Sequence, residues 1–245
     1  MGHPMNPPGF APGGAILAFD CAGAVCSAAL WRAGQVLARR QSAQRHGQAE
    51  ILLPMIEAAL SEAGLGYDGL AAIATTIGPG SFTGLRAGLA AARGIALATG
   101  LPAAGIGAFD AAAHATASGE RRGRSVLAAI DSRRAEIFVQ VFDAGLTPLG
   151  APLVLTPEEA ASSPVLPAGA LLLAGDAAPA LLAALQARAR DTVLAKRAGA
   201  TDVAVVAALA EARLAAGDAL PLRPLYLRPP DVTPQPKRGG LGSGR

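Results

Sequence analysis

The chain has 245 residues, a net charge of +3, 51% hydrophobic residues and only 4% aromatics. It is too apolar to be disordered and long enough for two lobes of about 100 residues, with Ala, Leu, Val and Ile left to fill the core. Two cysteines make no disulfide framework at this length, and no uncharged apolar run approaches the roughly 18 residues of a spanning helix, so no membrane association and a cytoplasmic placement are expected.

Residues 1–14, rich in Pro and Gly, read as a disordered leader, and 229–245 as a disordered tail. Ala15–Asp20 is a short apolar run ending in an acid and reads as a buried strand. Val25–Arg32 and Gln35–Gln41 read as two more, and the short loops between the three predict an antiparallel meander. Cys21 and Cys26 fall in this stretch and read as small buried hydrophobes.

The clearest helix spans Gly47–Ala63. Ile51, Leu52, Met55, Ile56, Ala59 and Leu60 form a broad apolar stripe, Leu53 and Ala58 widen it, and Gly64 stops it. Pro54 inside the pattern predicts a kink or a late start. A stripe this wide points to burial on two sides, one against the chain's own sheet and one against a partner. Leu70–Ile77 reads as a buried strand, 78–84 (GPGSFTG) as a glycine-rich turn, and Leu85–Thr99 as a helix capped by Gly100. On that helix Gly84, Gly88 and Ala92 share one face, and Ala87, Ala91 and Ile95 another, so a second helix can approach closely. Leu101–Ile106 reads as a strand and Phe109–Ala117 as a short helix.

The hydrophilic stretch Ser118–Arg124 marks a boundary between a first lobe, 15–117, and a second, 118–228. In the second lobe Val126–Asp131, Glu136–Asp143 and Leu171–Ala174 read as strands, and Ala177–Arg190 as a helix. The final helix, Asp202–Ala216, is free to pack back on the first lobe. A meander followed by strand–helix units gives a mixed sheet flanked by helices. Two such units in tandem give the duplicated α/β architecture of actin and the sugar kinases.

Several residues are candidates for chemistry, each with two readings. Gly78, Gly80, Ser81, Thr83 and Gly84 follow a strand and open a helix, where backbone N–H groups attract phosphate. Leu85 and Arg86 replace the Lys-Ser/Thr of a P-loop, and the other reading is a tight turn that lets the helix pack closely. Asp20 either holds a hydrated Mg²⁺ against nucleotide phosphates or accepts N–H bonds within its own turn. Arg121, Arg122, Arg124, Arg133 and Arg134 are the densest basic cluster, fit for RNA phosphates or for a solvated loop, with no aromatics interleaved. His3, His46 and His114 have no metal-ligand spacing, and no nucleophile pattern stands near His46.

Four segments carry a likeness: AILAFDCAGAVCSAALW at 15–31, HGQAEILLPMIEAALSEAG at 46–64, GPGSFTGLRAGLAAARGIALATGLPAAGI at 78–106 and AAIDSRRAEIFVQVF at 128–142, with PLYLR at 224–228. They resemble the TsaB (YeaZ) family, bacterial partner proteins in tRNA threonylcarbamoyladenosine synthesis. The likeness is dense in the first lobe and thin after 150. It implies a two-lobed actin-like (ASKHA, ribonuclease H-like) fold with mixed five-stranded sheets. It implies a non-catalytic scaffold of TsaD, with TsaE as third member, in transfer of a threonylcarbamoyl group from threonylcarbamoyl-AMP to N6 of the adenosine beside the tRNA anticodon. TsaD holds its metal through an HxxxH pair; those positions fall at Ala108 and Ala112, with His114 out of step, so neither a metal nor a required cofactor is implied.

The resemblance also implies a partner interface on the two first-lobe helices, at Ile51, Leu52, Met55 and Ile56 and at Gly84, Gly88, Ala92 and Ile95. The same surface would form a homodimer without TsaD, and tRNA would be reached through the complex. The loop Asp20-Cys21-Ala22-Gly23 lacks a Gly two places after the Asp, and Leu172–Asp176 keeps only Gly175 and Asp176 of an adenosine-binding segment. ATP or ADP binding would therefore be weak and confined to the complex interface. The alternative is an active ATP-dependent kinase or ATPase of the same fold, with Asp20 and Asp131 as its carboxylates. A peptidase reading lacks any nucleophile–base pair.

Overall fold

Strand β1 (Ala15–Asp20) is buried along its whole length and forms the centre of the first sheet. Strands β2 (Cys26–Arg32) and β3 (Gln35–Ser42) follow it as an antiparallel meander, with Phe19 opposite Ala28 and Asp20 opposite Ser27. Helix α1 (Gln48–Glu62) runs through Pro54, and β4 (Leu70–Gly78) then returns parallel to β1. Helix α2 (Phe82–Thr99) leads to β5 (Ala103–Gly107), parallel to β4. The sheet order is β3-β2-β1-β4-β5. The computed structural model describes residues 9–43 and 47–228, with only the backbone of Gln48 and Ala49. His3, His46, most of the expected leader and the expected tail lie outside the described residues.

After α3 (Ala108–His114) the plan repeats. Strands β6 (Arg124–Asp131), β7 (Ile137–Phe142) and β8 (Leu153–Leu155) form a second antiparallel meander. Helix α4 (Pro157–Ser162), β9 (Ala170–Ala174), α5 (Ala178–Gln186) and β10 (Thr192–Leu194) complete a sheet of order β10-β9-β6-β7-β8. Counted from its own first strand, each sheet has the order 3-2-1-4-5, with the first, fourth and fifth strands parallel. The fold is thus two α/β lobes of one topology, the actin-like duplication. Helix α6 (Val203–Ala216) is the last helix of the described residues.

The pleat of β1 divides the first core in two. Leu17 and Phe19 meet Leu52, Ile56 and Leu60 of α1 and Ala92 and Ile95 of α2. Ile16 and Ala18 point the other way, onto Val206, Ala207 and Ala210 of α6. The final helix therefore lies on the first sheet, although it follows the second in sequence. Trp31 donates its indole N–H to Glu211 at 2.8 Å, and Arg213 pairs with Asp110 at 2.8 Å, fixing α6 against β2 and α3. Helix α3 sits between the lobes. Its Ala108 and Ala112 pack on Val126, Ala128 and Phe138 of the second sheet. Among the described residues no helix is long and apolar enough to cross a membrane.

Several boundaries differ from expectation. Helix α2 begins at Phe82, three residues early, because Ser81 caps it by accepting the N–H of Gly84 at 3.4 Å. The last part of the glycine-rich turn is therefore helical. Helix α5 ends at Gln186 rather than Arg190. Strands β8 and β10 and helix α4 have no counterpart in the sequence reading; each is short, and the two strands are edges of their sheet.

Candidate functional site: closed interlobe loops and an apolar helix groove

The loops at the ends of β1, β4, β6 and β9 meet between the lobes. Asp20 is 1% exposed. Its carboxylate accepts the backbone N–H of Ala22 at 3.0 Å and of Gly23 at 3.2 Å, and the hydroxyls of Thr76 and Thr201. Burial pushes its pKa up, and these four donors pull against that rise. These include the N–H bonds of its own turn. The glycine-rich turn closes on the same loop, where Ser81 N–H donates to Ala22 O at 2.8 Å. Gly78 has φ 101°, open to glycine at little cost, and a cis bond joins it to Pro79. A Cβ on Gly80 would stand 2.7 Å from Ala22 O, so only glycine permits this approach. Thr83 lies exposed in the first turn of α2.

The second lobe completes the closure. Asp131 accepts the N–H of Arg133 at 2.7 Å, and Asp176 accepts that of Asp131 at 2.8 Å. The Asp176 carboxyl is also pushed up, first by burial and then by the nearby Asp131 and Asp20 carboxylates. Arg133 reaches across the lobes and donates to Gly23 O at 2.8 Å. Each acid at this junction accepts backbone N–H groups within the chain, and among the described residues no group of three His, Cys, Asp or Glu side chains is placed to hold a metal ion. Of the basic cluster, Arg121 bonds Ala144 O at 3.0 Å, Arg124 pairs with Asp191 at 3.1 Å and Arg133 binds Gly23, so at least these three serve contacts within the chain.

A C-terminal strap, 218–228, covers this junction, and the sequence reading missed its role. Gly105 N–H bonds Leu220 O at 2.8 Å, and Leu225 N–H bonds Ile77 O at 2.7 Å. Arg93 donates to Leu222 O at 3.1 Å. Arg86 donates to Tyr226 at 3.3 Å and lies 3.8 Å over the Phe82 ring. The strap ends at Arg228, which pairs with Glu136 of the second lobe at 2.9 Å. Under it lies a cleft of about 220 Å³ lined from both lobes by Phe82, Arg134 and Phe138 among others.

The helix surface also differs from the sequence reading. Leu52 and Ile56 are 1% and 0% exposed, and Gly84, Gly88, Ala92 and Ile95 are buried on α2. Ile51 and Met55 are half-buried against the same core. The apolar stripe of α1 and the small-residue face of α2 are used on the chain's own sheet, which leaves them little surface to offer another chain. The exposed apolar surface between the two helices is carried mainly by other residues. An open apolar groove of about 680 Å³ runs between α1 and α2, with Leu52 and Ile95 in its floor and Leu53, Ala87, Ala91 and Gly94 in its walls. Leu53 is 50% exposed, and Leu97 on α2 is 87% exposed.

The profile of TsaD, described as tRNA N6-adenosine threonylcarbamoyltransferase, matches residues 36–216. The chain is 38% identical over 123 residues to the tRNA threonylcarbamoyladenosine biosynthesis protein TsaB of Escherichia coli, 50% of this chain and 52% of that protein. The match thus spans about half the length of that relative. An uncharacterized protein of Mycobacterium tuberculosis is 33% identical over 221 residues, covering 89% of this chain and 94% of its own. The structure superimposes on YeaZ from Pseudomonas aeruginosa with a TM-score of 0.73 at 26% identity, over 87% of this chain and 100% of the other. Sequence likeness over most of the folded region and a shared two-lobed fold agree: the chain belongs to the TsaD-related family of the TsaB (YeaZ) proteins.

Proposed function

We propose that this chain is a non-catalytic partner of a TsaD-type enzyme in tRNA threonylcarbamoyladenosine synthesis, acting with TsaE in the cytoplasm. The observation that carries the reading is the apolar groove between α1 and α2, with Leu53 exposed in its wall and Leu97 exposed on α2. Exposed apolar surface of this kind marks a protein contact. The TsaD partner docks an apolar helix there, and a second copy of this chain takes its place when TsaD is absent. Docking favours the competent lobe arrangement of the enzyme through its higher affinity for that arrangement. The transfer to N6 of adenosine proceeds on TsaD, and tRNA is engaged through the complex.

The interlobe loops support the non-catalytic part. Ser81 N–H and the Asp20 oxygens, which a nucleotide and its metal would use, are bonded within the chain. No cofactor is required, and ATP or ADP binds at most weakly at the interface with TsaD. A kinase or ATPase of this fold would need those loops to part.

The test is reconstitution of threonylcarbamoyl transfer on tRNA from purified chain, cognate TsaD and TsaE. Transfer that requires all components, with none from this chain alone, supports the reading. Full transfer without this chain, or ATP turnover by it alone, overturns it.

A further inference from the structure

Cys21 and Cys26 face each other across the first hairpin. Asp20 is opposite Ser27 in the β1–β2 register, so the next pair outward is Cys21 with Cys26. Their Sγ atoms lie 2.8 Å apart, both stand as thiols, and both side chains are buried at 1% and 0% exposure. A core that needed only small apolar volume here would be met by alanine or valine. What the hairpin provides instead is two sulfurs aimed at one another, on backbone that is already paired. The intervening loop is half-exposed at Ala24 and Val25, next to Cys26, which gives a small oxidant a short path through local opening.

We propose that Cys21 and Cys26 form a reversible dithiol–disulfide site, oxidised by a hydroperoxide. The Cys26 sulfur attacks one peroxide oxygen, the O–O bond breaks, and the departing oxygen leaves as water or alcohol with the thiol proton. Cys26 is then a sulfenic acid. The Cys21 sulfur attacks the Cys26 sulfur, the S–O bond breaks, and that oxygen leaves as water with the Cys21 proton. Two electrons have passed from the thiols to the peroxide, and a dithiol reductant reverses the change. Cys26 acts first because it adjoins the half-exposed Val25; its shared S–H···S contact with Cys21, together with burial, holds the Cys21 thiol above its ordinary range.

The consequence lies in the loop that the bond would close. Ala22 O accepts Ser81 N–H, and Gly23 O accepts Arg133 from the other lobe. A Cys21–Cys26 bond pins the segment on which the glycine-rich turn and the second lobe both rest.

The experiment treats the native full chain with hydrogen peroxide, denatures it in an alkylating reagent and maps the peptides without reduction. The expected result is one N-terminal peptide that has lost two hydrogens, resists alkylation at both cysteines and regains both sites after dithiothreitol. Both cysteines alkylated after peroxide would overturn the proposal, as would oxidation to sulfinic acid without a link. The Cys21→Ala variant should hold a dimedone-reactive sulfenic acid on Cys26. Labelling of Cys21 in Cys26→Ala at an equal rate would overturn the assigned order. The wild-type map decides the site itself even if a variant folds poorly.

Discussion

The backbone N–H of Ser81 donates to the carbonyl of Ala22 at 2.8 Å, so the glycine-rich turn is closed by the chain's own first hairpin loop. The contact depends on Gly80, whose missing Cβ would stand 2.7 Å from that same carbonyl. Gly80→Ala should force the two loops apart. The expected loss is about 1–3 kcal/mol, the range for overpacking a tight site. Urea denaturation of the variant measures it; an unchanged midpoint would mean that the two loops separate at little cost.

Leu52 and Leu53 are neighbours on α1 with opposite surroundings, 1% and 50% exposed. Leu53→Asp places a charge on the groove wall in solvent and should cost the isolated fold only about 0.5 kcal/mol. The same change should abolish co-purification with the cognate TsaD-type partner, and Leu97→Asp should weaken it. Leu52→Asp buries an unpaired carboxylate beneath the sheet and should cost roughly 4 kcal/mol or more. Thermal melts and co-purification of the variants separate the two effects. Wild-type binding by both Leu53→Asp and Leu97→Asp would remove the groove from the proposed contact.

These two leucines mark what the sequence could and could not convey. Periodicity located α1 and its width, but a wide stripe does not say which edge meets the chain's own sheet. That is decided by how α1 and α2 sit together on β1 and β2. Strands β1 and β4 were legible because each is a buried apolar run, and the meander because short turns separate β2 and the largely exposed β3 from their neighbours. The second lobe was less so. Strands β8 and β10 are three-residue edges with little burial, too short to carry a period. Helix α4 did carry a signal, the capping box of Thr156 and Glu159 with Pro157 at its start, but six residues gave no apolar stripe to go with it. Ser81 reads equally as a turn residue or a cap until Gly84 N–H is seen bonded to it. The strap is recorded mainly by backbone bonds to Ile77 and Gly105, which leave no side-chain pattern.

Asp20 sets a pH dependence whose sign follows from its burial. Its pKa in the folded chain lies above the ordinary carboxylate value of about 4, which holds in the unfolded chain. The unfolded state therefore releases this proton first. The contribution to stability is full below about pH 4 and is lost as pH rises through the raised folded value. Asp20→Asn removes this slope, while Asp176, shifted the same way, keeps a share of it in both proteins. Denaturation midpoints across about pH 4 to 7 should show the wild type losing stability relative to Asp20→Asn as pH rises. A wild type that gains on the variant over that range would reverse the assignment.

Arg86 and Arg93, seven residues apart on α2, both turn to the strap. Arg93 is exposed, so its charge-assisted bonds to Leu222 O are screened and contribute about 1 kcal/mol rather than the larger figure for a buried pair. Leu225, three residues on, is held by one backbone bond to Ile77 O. Loss of the Arg93 anchor should raise local opening of the strap while leaving the two sheets intact, since strap residues such as Leu222 and Leu227 are only partly buried at the margins of the cores. Arg93→Ala is therefore expected to speed hydrogen exchange at the Leu225 amide about fivefold, with little change for amides in β1 and β6. If exchange at Leu225 were unaltered, the strap would be held without Arg93, by its backbone bonds, the Tyr226–Phe82 contact and the contacts of Arg86 and Arg228. If the β1 amides quickened equally, the strap would be part of the global fold rather than a separately opening segment.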